Sequence, residues 1–215
     1  DTVVDIVTTT GTAGTSDYTT TTTTVTIPAG STSVDVSIPI TDDATDEPDE
    51  DFTVGGTVTS GNTSNTNPSG TVTITDNDAT PTVSIGDVTV GEGDGTATVP
   101  VSIDVASSVD TVVDIVTTTG TAGTSDYTET TTTVTIPAGS TSVDVNIPIT
   151  DDAISESPED FTVDGTVTSG NTVNTDPSGT VTINDNDVDP CPNPLDTDGD
   201  GLTDCEETTG IDDPS

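Results

Sequence analysis

Val and Ile recur at every second position through most of the chain, with Thr, Ser, Asp or Asn between them. In Val143-Asp144-Val145-Asn146-Ile147-Pro148-Ile149 the apolar side chains share one face and the polar ones the other, the period of a half-buried strand. Val143, Val145, Ile147 and Ile149 are therefore expected in a core. The same pattern predicts strands over 83–90, 96–105, 111–118, 131–136, 142–149, 161–168 and 179–183. Turn signals separate them. Gly91-Glu92-Gly93-Asp94-Gly95 reads as a hairpin, and Pro137-Ala138-Gly139-Ser140 and Ser169-Gly170-Asn171 as further reversals. Seven short strands in one period fit a β-sandwich, and no segment carries a helical period.

The period itself is long. Asp1 to Asp78 aligns without a gap on Asp110 to Asp187, with 68 identities in 78 positions, so the chain is a tandem array. Residues 79–109 join the copies, and no equivalent stands before Asp1. The organisation expected is a partial repeat over 1–78 that lacks its N-terminal strands, a complete repeat over 79–187, and a segment of different character over 188–215. The chain is expected to be a piece of a longer polypeptide, with neighbouring repeats as its partners.

Hydrophobic residues make up 27% of the chain and aromatic ones 2%, values that ordinarily accompany disorder. The alternation argues otherwise, as does Thr at 54 of 215 residues, because β-branched side chains favour extended backbone. Each copy holds one Tyr (Tyr18, Tyr127) and one Phe (Phe52, Phe161), so the core is thin in large side chains and an external staple would matter.

Charge narrows the function. The chain carries 40 Asp and Glu and no Lys, Arg or His, a formal charge of -40. Without cationic side chains it cannot neutralise nucleic-acid phosphates or an anionic membrane surface. No apolar run approaches the roughly 20 residues of a spanning helix, so no membrane insertion is expected. The absence of imidazole, amine and guanidinium removes nucleophilic triads and phosphoryl-transfer sites. A paired-carboxylate glycosidase would need groups to hold sugar, and the chain has no Trp. No catalytic residue is assigned, and the chain is not expected to be an enzyme.

The carboxylates are instead crowded. Asp42 to Asp51 holds seven in ten residues and Asp151 to Asp160 holds five, while Asp76-Asn77-Asp78 and Asp185-Asn186-Asp187 close the two copies. Two like charges 4 Å apart repel by roughly 4 kcal/mol at an effective dielectric near 20. The loops are either solvated acidic turns or sites for a cation drawn from solution. An all-oxygen donor set suits Ca²⁺, whereas Zn²⁺ and copper favour His or Cys.

Several ordered motifs carry a family resemblance. Gly11-Thr12-Ala13-Gly14-Thr15-Ser16-Asp17-Tyr18, Val25-Thr26-Ile27-Pro28-Ala29-Gly30, Ile38-Pro39-Ile40-Thr41-Asp42-Asp43 and Thr73-Ile74-Thr75-Asp76-Asn77-Asp78, with Glu47, Glu50 and Phe52, resemble the Calx-β repeat. The resemblance covers Asp1 to about Asp187 and implies tandem Ig-like antiparallel sandwiches with calcium at one end. On matching positions the ligands it implies are Asp17, Asp42, Asp43, Glu47, Glu50, Asp76 and Asp78 in the first copy. The second copy offers Asp126, Asp151, Asp152, Glu156, Glu159, Asp185 and Asp187, plus Glu92 from the glycine-rich turn. Where the family often closes with three Asp, this chain has Asn77 and Asn186.

Beyond Asp187 the alternation stops. Asp196-Thr197-Asp198-Gly199-Asp200-Gly201-Leu202-Thr203-Asp204-Cys205-Glu206-Glu207 places acidic residues at loop positions 1, 3, 5, 9 and 12 with Gly at 6, the spacing of a calcium loop. Asp196, Asp198, Asp200, Asp204 and Glu207 would supply side-chain oxygens and Leu202 a carbonyl. No amphipathic helices flank it, and it resembles a thrombospondin type 3 repeat. Cys191 and Cys205 bracket the loop. They read as a disulfide of an oxidising compartment, with pairing to a neighbouring module left open.

Near-identical Calx-β-like copies, abundant Thr and Asp and a calcium-loop tail are together similar to large surface adhesins of gliding Bacteroidota. That resemblance implies a secreted, cell-surface location, and type IX secretion and the gliding machinery as partners. The alternative is a spacer in an extracellular hydrolase, its catalytic domain elsewhere.

Overall fold

The computed structural model describes residues 1–188. It is all-β, with twelve strands, one short 3-10 turn and no α-helix among the described residues. Two compact units are present. One comprises Asp1–Thr82 with Asp104–Asp110 and Pro137–Thr141, and the other comprises Val83–Ile103, Thr111–Ile136 and the described residues from Ser142 on.

The second unit is a sandwich of two sheets. β5 (Val83–Ile85), β7 (Thr96–Ile103) and β10 (Ser142–Pro148) form one, in the order β10-β7-β5. The other, ordered β6-β12-β11-β8-β9, contains β6 (Val88–Gly91), β8 (Thr111–Thr119), β9 (Thr131–Ile136), β11 (Glu159–Ser169) and β12 (Ser178–Asn184). Alternate Val and Ile side chains from both sheets meet between them, among them Val99, Val101, Val113, Ile115, Ile147, Val163 and Val181, all essentially inaccessible. Val145, Ile147 and Ile149 are buried as the alternation requires, and Val143 packs against the same cluster. At the end that carries the acidic loops, Tyr127 stacks on Phe161 with ring centroids 3.9 Å apart, each the only residue of its type in this copy.

Two expectations are corrected here. The segment 83–90 is not one strand but two in different sheets. β5 pairs antiparallel with β7, and β6 pairs parallel with β12, the one parallel pair in an otherwise antiparallel set of described strands. The break falls at Gly86, which approaches Pro100 so closely that a Cβ would lie 2.8 Å from its Cγ. Nor is Gly91–Gly95 a hairpin, because the strands it joins belong to different sheets. It forms a 3-10 turn over Glu92–Asp94, closed by Gly95 at φ 71° and by the Gly91 N–H donating to Asp94 at 2.7 Å.

The first unit has a single four-stranded sheet, β2-β1-β3-β4, built from β1 (Thr2–Thr10), β2 (Thr22–Ile27), β3 (Glu50–Ser60) and β4 (Ser69–Ile74). These are the counterparts of β8, β9, β11 and β12. Tyr18 again stacks on Phe52, with centroids 3.9 Å apart. The difference lies at residues 33–39, which repeat the sequence of β10 with one change, Ser37 for Asn146, and yet are not a strand. β10 exists because β7 pairs with it along its whole length. The first unit has no counterpart of β7 among the described residues, and the same residues form no strand, although the Pro39 carbonyl accepts from the Thr19 N–H at 2.9 Å. The six consecutive Thr from Thr19 run into β2, an edge strand, where the Thr24 hydroxyl donates to Asp5 at 2.6 Å.

Candidate cation site

Each copy gathers its carboxylates at one end by the same local devices. Gly11 passes so near the backbone of Asp51 that a Cβ would lie 2.5 Å from the carbonyl oxygen. That close approach lets the Ala13 N–H donate to the Asp51 carbonyl at 2.9 Å, while Thr12 bonds its carboxylate. The loop so pinned turns at Gly14, whose N–H donates to Asp17, and presents Asp17 beside Glu50 at the start of β3. Gly120, Ala122, Asp160, Gly123 and Asp126 repeat the arrangement.

In the first copy all seven carboxylates singled out in the sequence, Asp17, Asp42, Asp43, Glu47, Glu50, Asp76 and Asp78, line one concavity of about 40 Å³. Oxygens of Asp17, Glu47 and Glu50 lie within 4.8 Å of one another. The remaining acids of that run serve elsewhere: Asp51 holds the Gly11 loop, Asp49 accepts from the Asp76 N–H at 3.3 Å, and Asp46 is buried and accepts from the Ser107 hydroxyl at 3.2 Å.

The second copy forms two triads by the same 4.8 Å measure. Asp126, Glu156 and Glu159 repeat the first-copy cluster, and Glu92, Asp152 and Asp187 form another. Glu92 is buried and accepts from the Asp152 N–H at 3.0 Å. Asp185 lies beside the first triad, already accepting from the Glu156 and Asp187 N–H groups. Asp151 belongs to neither triad, although its charge helps to raise Asp187, and it serves as a hydrogen-bond acceptor. Asn186 donates to it at 3.0 Å, as Asn77 donates to Asp42 at 3.2 Å. The first copy has Asp43 and Asp78 in place of Asp152 and Asp187, but no described residue stands where Glu92 does. Sequence reasoning did not anticipate the role of Asn77 and Asn186. Their spacing from Asp42 and Asp151 gave no sign of the bond.

The protonation pattern reflects the crowding. Burial, the hydrogen bond to Asp17 and the charges of Asp17 and Glu47 push Glu50 up to about 7, while the Gly14 N–H holds Asp17 low. Glu50 therefore keeps its proton to higher pH than Asp17 beside it. Glu159 is raised by burial and by Asp126 in the same way. Asp126 stays low because bonds from Gly123, Ser125 and Glu159 outweigh its burial. Burial and neighbouring carboxylates also raise Glu47, Asp78, Glu92 and Asp187.

The donor set fits a hard divalent cation. It is all oxygen, its oxygens converge, no cationic side chain exists in the sequence to offset them, and one buried oxygen, Oδ2 of Asp187, has no hydrogen-bond partner. The loop residues Asp196, Asp198, Asp200, Leu202, Asp204 and Glu207, and the pair Cys191 and Cys205, lie outside the described residues.

An all-β tandem with an acid-lined end to each repeat defines a class of β-sandwich module. The Calx-beta domain model matches residues 1–78 and 75–187, and the chain belongs to that family. Among solved structures, the chain is similar to the apo form of the Calx CBD1 domain at 22% identity, covering 51% of this chain and all of that one, with a TM-score of 0.44. It is also similar to CBD12 from CALX1.2 at 25% identity, covering 49% of this chain and 45% of that one, with a TM-score of 0.44. The calcium binding domain CBD12 of CALX1.1 is 26% identical over 46% of this chain and 42% of that one, with a TM-score of 0.41. No curated protein matches in sequence. No helix among the described residues is long and apolar enough to cross a membrane.

Proposed function

We propose that the chain is a calcium-stiffened structural segment of a secreted, cell-surface adhesin, in which each repeat is a spacer whose acidic end is locked by Ca²⁺. The observation that carries this reading is the convergence of seven carboxylates on one small concavity in a chain with no cationic side chain. Asp17, Glu47 and Glu50, with Asp42, Asp43, Asp76 and Asp78 around them, would hold the ion in the first copy. Asp126, Glu156 and Glu159, and separately Glu92, Asp152 and Asp187, would do so in the second. Calcium would relieve the mutual repulsion of these groups, so its binding free energy adds directly to the stability of a thin core. On its sequence spacing, the run from Asp196 to Glu207 would add a further ion. Reach and rigidity, rather than catalysis, are then what the segment supplies, and a gliding-motility filament is the setting that the repeat composition favours.

Calcium titration by calorimetry, paired with thermal unfolding in calcium and in chelator, tests this reading. Saturable binding with a higher melting temperature is expected, with dissociation constants of order 10⁻⁴ to 10⁻³ M for extracellular modules. Identical melting in the two conditions overturns it.

A further inference from the structure

The two copies tie the acidic loop to the closing Asp in opposite directions, and two substitutions account for it. In the first copy the loop supplies the acceptor, because the Asp49 carboxylate takes the Asp76 N–H at 3.3 Å. The Asp76 carboxylate itself accepts only from the Asp78 N–H, at 3.3 Å, among the described residues, and it lines the concavity with its other oxygen uncommitted. At the offset of 109 residues Asp49 becomes Pro158, which has no side-chain acceptor. Asp46, whose carboxylate accepts from the Ser107 hydroxyl, becomes Ser155.

In the second copy the closing Asp supplies the acceptor instead. Oδ2 of Asp185 takes the Glu156 N–H at 3.1 Å and the Ser155 hydroxyl at 3.3 Å, while its Oδ1 takes the Asp187 N–H at 3.0 Å. Both oxygens are thus committed to donors of the protein. Asp126, Glu156 and Glu159 bring oxygens within 4.8 Å of one another, and Asp185, which lines the same cleft, is not a member of that triad. Its strap on the Glu156 N–H fixes the backbone of a residue that is a member, so Asp185 acts on the site through Glu156. Of the two bonds on Oδ2, the one from Glu156 is main-chain and follows the path of the loop. The one from Ser155 belongs to an exposed side chain, and its loss would return a lone pair that a cation can take.

Resting on the calcium reading above, we propose that Ser155 sets the affinity of the site formed by Asp126, Glu156 and Glu159, by holding the Asp185 carboxylate as a brace on the loop and out of the ion's ligand set. Asp185 is then a positioning residue in the second copy, whereas Asp76, at the same place in the first, is a ligand. Affinity of oxygen sites for Ca²⁺ follows the number of charged ligands that reach the ion, so a carboxylate held back lowers it. Two positions that the Calx-β pattern treats alike serve differently here, because Ser155 and Pro158 stand where the first copy has Asp46 and Asp49.

The test is a calcium titration of the full chain followed by NMR, in which the amide signals of Asp126, Glu156 and Glu159 report this site separately from the others. Ser155→Ala should tighten binding there about threefold, the scale of one solvent-exposed hydrogen bond. Ser155→Thr keeps the hydroxyl and should leave affinity at the wild-type value. In an Asp185→Asn background Ser155→Ala should have no effect, because no fourth carboxylate is then left to release. A merely structural role for Ser155 predicts the opposite sign, with weaker binding and a lower melting temperature in Ser155→Ala. Unchanged or weaker binding in Ser155→Ala overturns the proposal, as does an equal gain in the Asp185→Asn background or a Ser155→Thr variant that behaves like Ser155→Ala. A wild-type chain whose signals do not respond to calcium sinks the calcium reading and this proposal with it, whereas a site that saturates but ignores Ser155→Ala sinks the proposal alone.

Discussion

Asn186 donates its side-chain N–H to Asp151 at 3.0 Å, and Asn77 does the same to Asp42 in the other copy. An amide here occupies one carboxylate oxygen and adds no charge, whereas an Asp in its place would remove the donor and add another anion. The asparagine therefore moderates the repulsion of the cluster when no cation is present. Asn186→Asp should lower the melting temperature in chelator and strengthen calcium binding on the order of tenfold, because affinity in such sites follows ligand charge. Differential scanning calorimetry in the two conditions checks both signs.

Glu92 forms a triad with Asp152 and Asp187 that is separate from that of Asp126, Glu156 and Glu159, and three convergent carboxylates should hold a cation of their own. Glu92→Gln keeps the buried side chain and its bond from the Asp152 N–H but removes the charge. Calorimetric stoichiometry should drop by about one ion. An unchanged stoichiometry would assign that triad to structure alone.

Acid–base linkage gives a third expectation, and its sign follows from Glu50. This group titrates at about 7 in the folded chain against an ordinary 4.5. Between those values the folded state retains a proton that the unfolded state has released, so metal-free stability should be fully present below about 4.5 and fall as pH rises through 7. Glu159, Glu47 and Glu92 are raised as well and act in the same direction. Asp17 and Asp126 are held low, and their contribution is lost only on acidification below 3.8. Because calcium competes with the proton that Glu50 retains, its affinity should increase over the same rise in pH. Denaturant melts from pH 4 to 8 in chelator check the first trend and calcium titrations the second.

A fourth test uses one sequence position in two environments. Ile149 is 6% exposed and Ile40, its counterpart, is 49% exposed. Ile149→Ala should cost about 2–5 kcal/mol and Ile40→Ala within about 0.5 kcal/mol. Equal losses in the two chemical denaturation curves would show that the first unit is covered in solution.

Much of this protein was legible in the sequence because its signals are local. A period of two places Val145, Ile147 and Ile149 on one face wherever that segment is extended, and a 109-residue offset requires no structure to see. The acidic positions that line the concavity were reached through the Calx-β resemblance, on whose matching positions Asp17 and Glu50 stand. What the spacing could not show is which carboxylate of a run points inward. Asp46 and Asp51 stand beside Glu47 and Glu50 in the chain but bond to Ser107 and Thr12.

The break at Gly86 was beyond reach for a similar reason: alternation continues through 83–90, and only the approach of Pro100 sends its two halves to different sheets. The sharpest case is the segment Ser142–Pro148 and its near-identical twin at 33–39. Sequence determined their shared capacity to form a strand with one apolar face. Tertiary structure alone decided that one of them does, since an isolated extended segment leaves its N–H and C=O groups without partners until another strand is there to meet them.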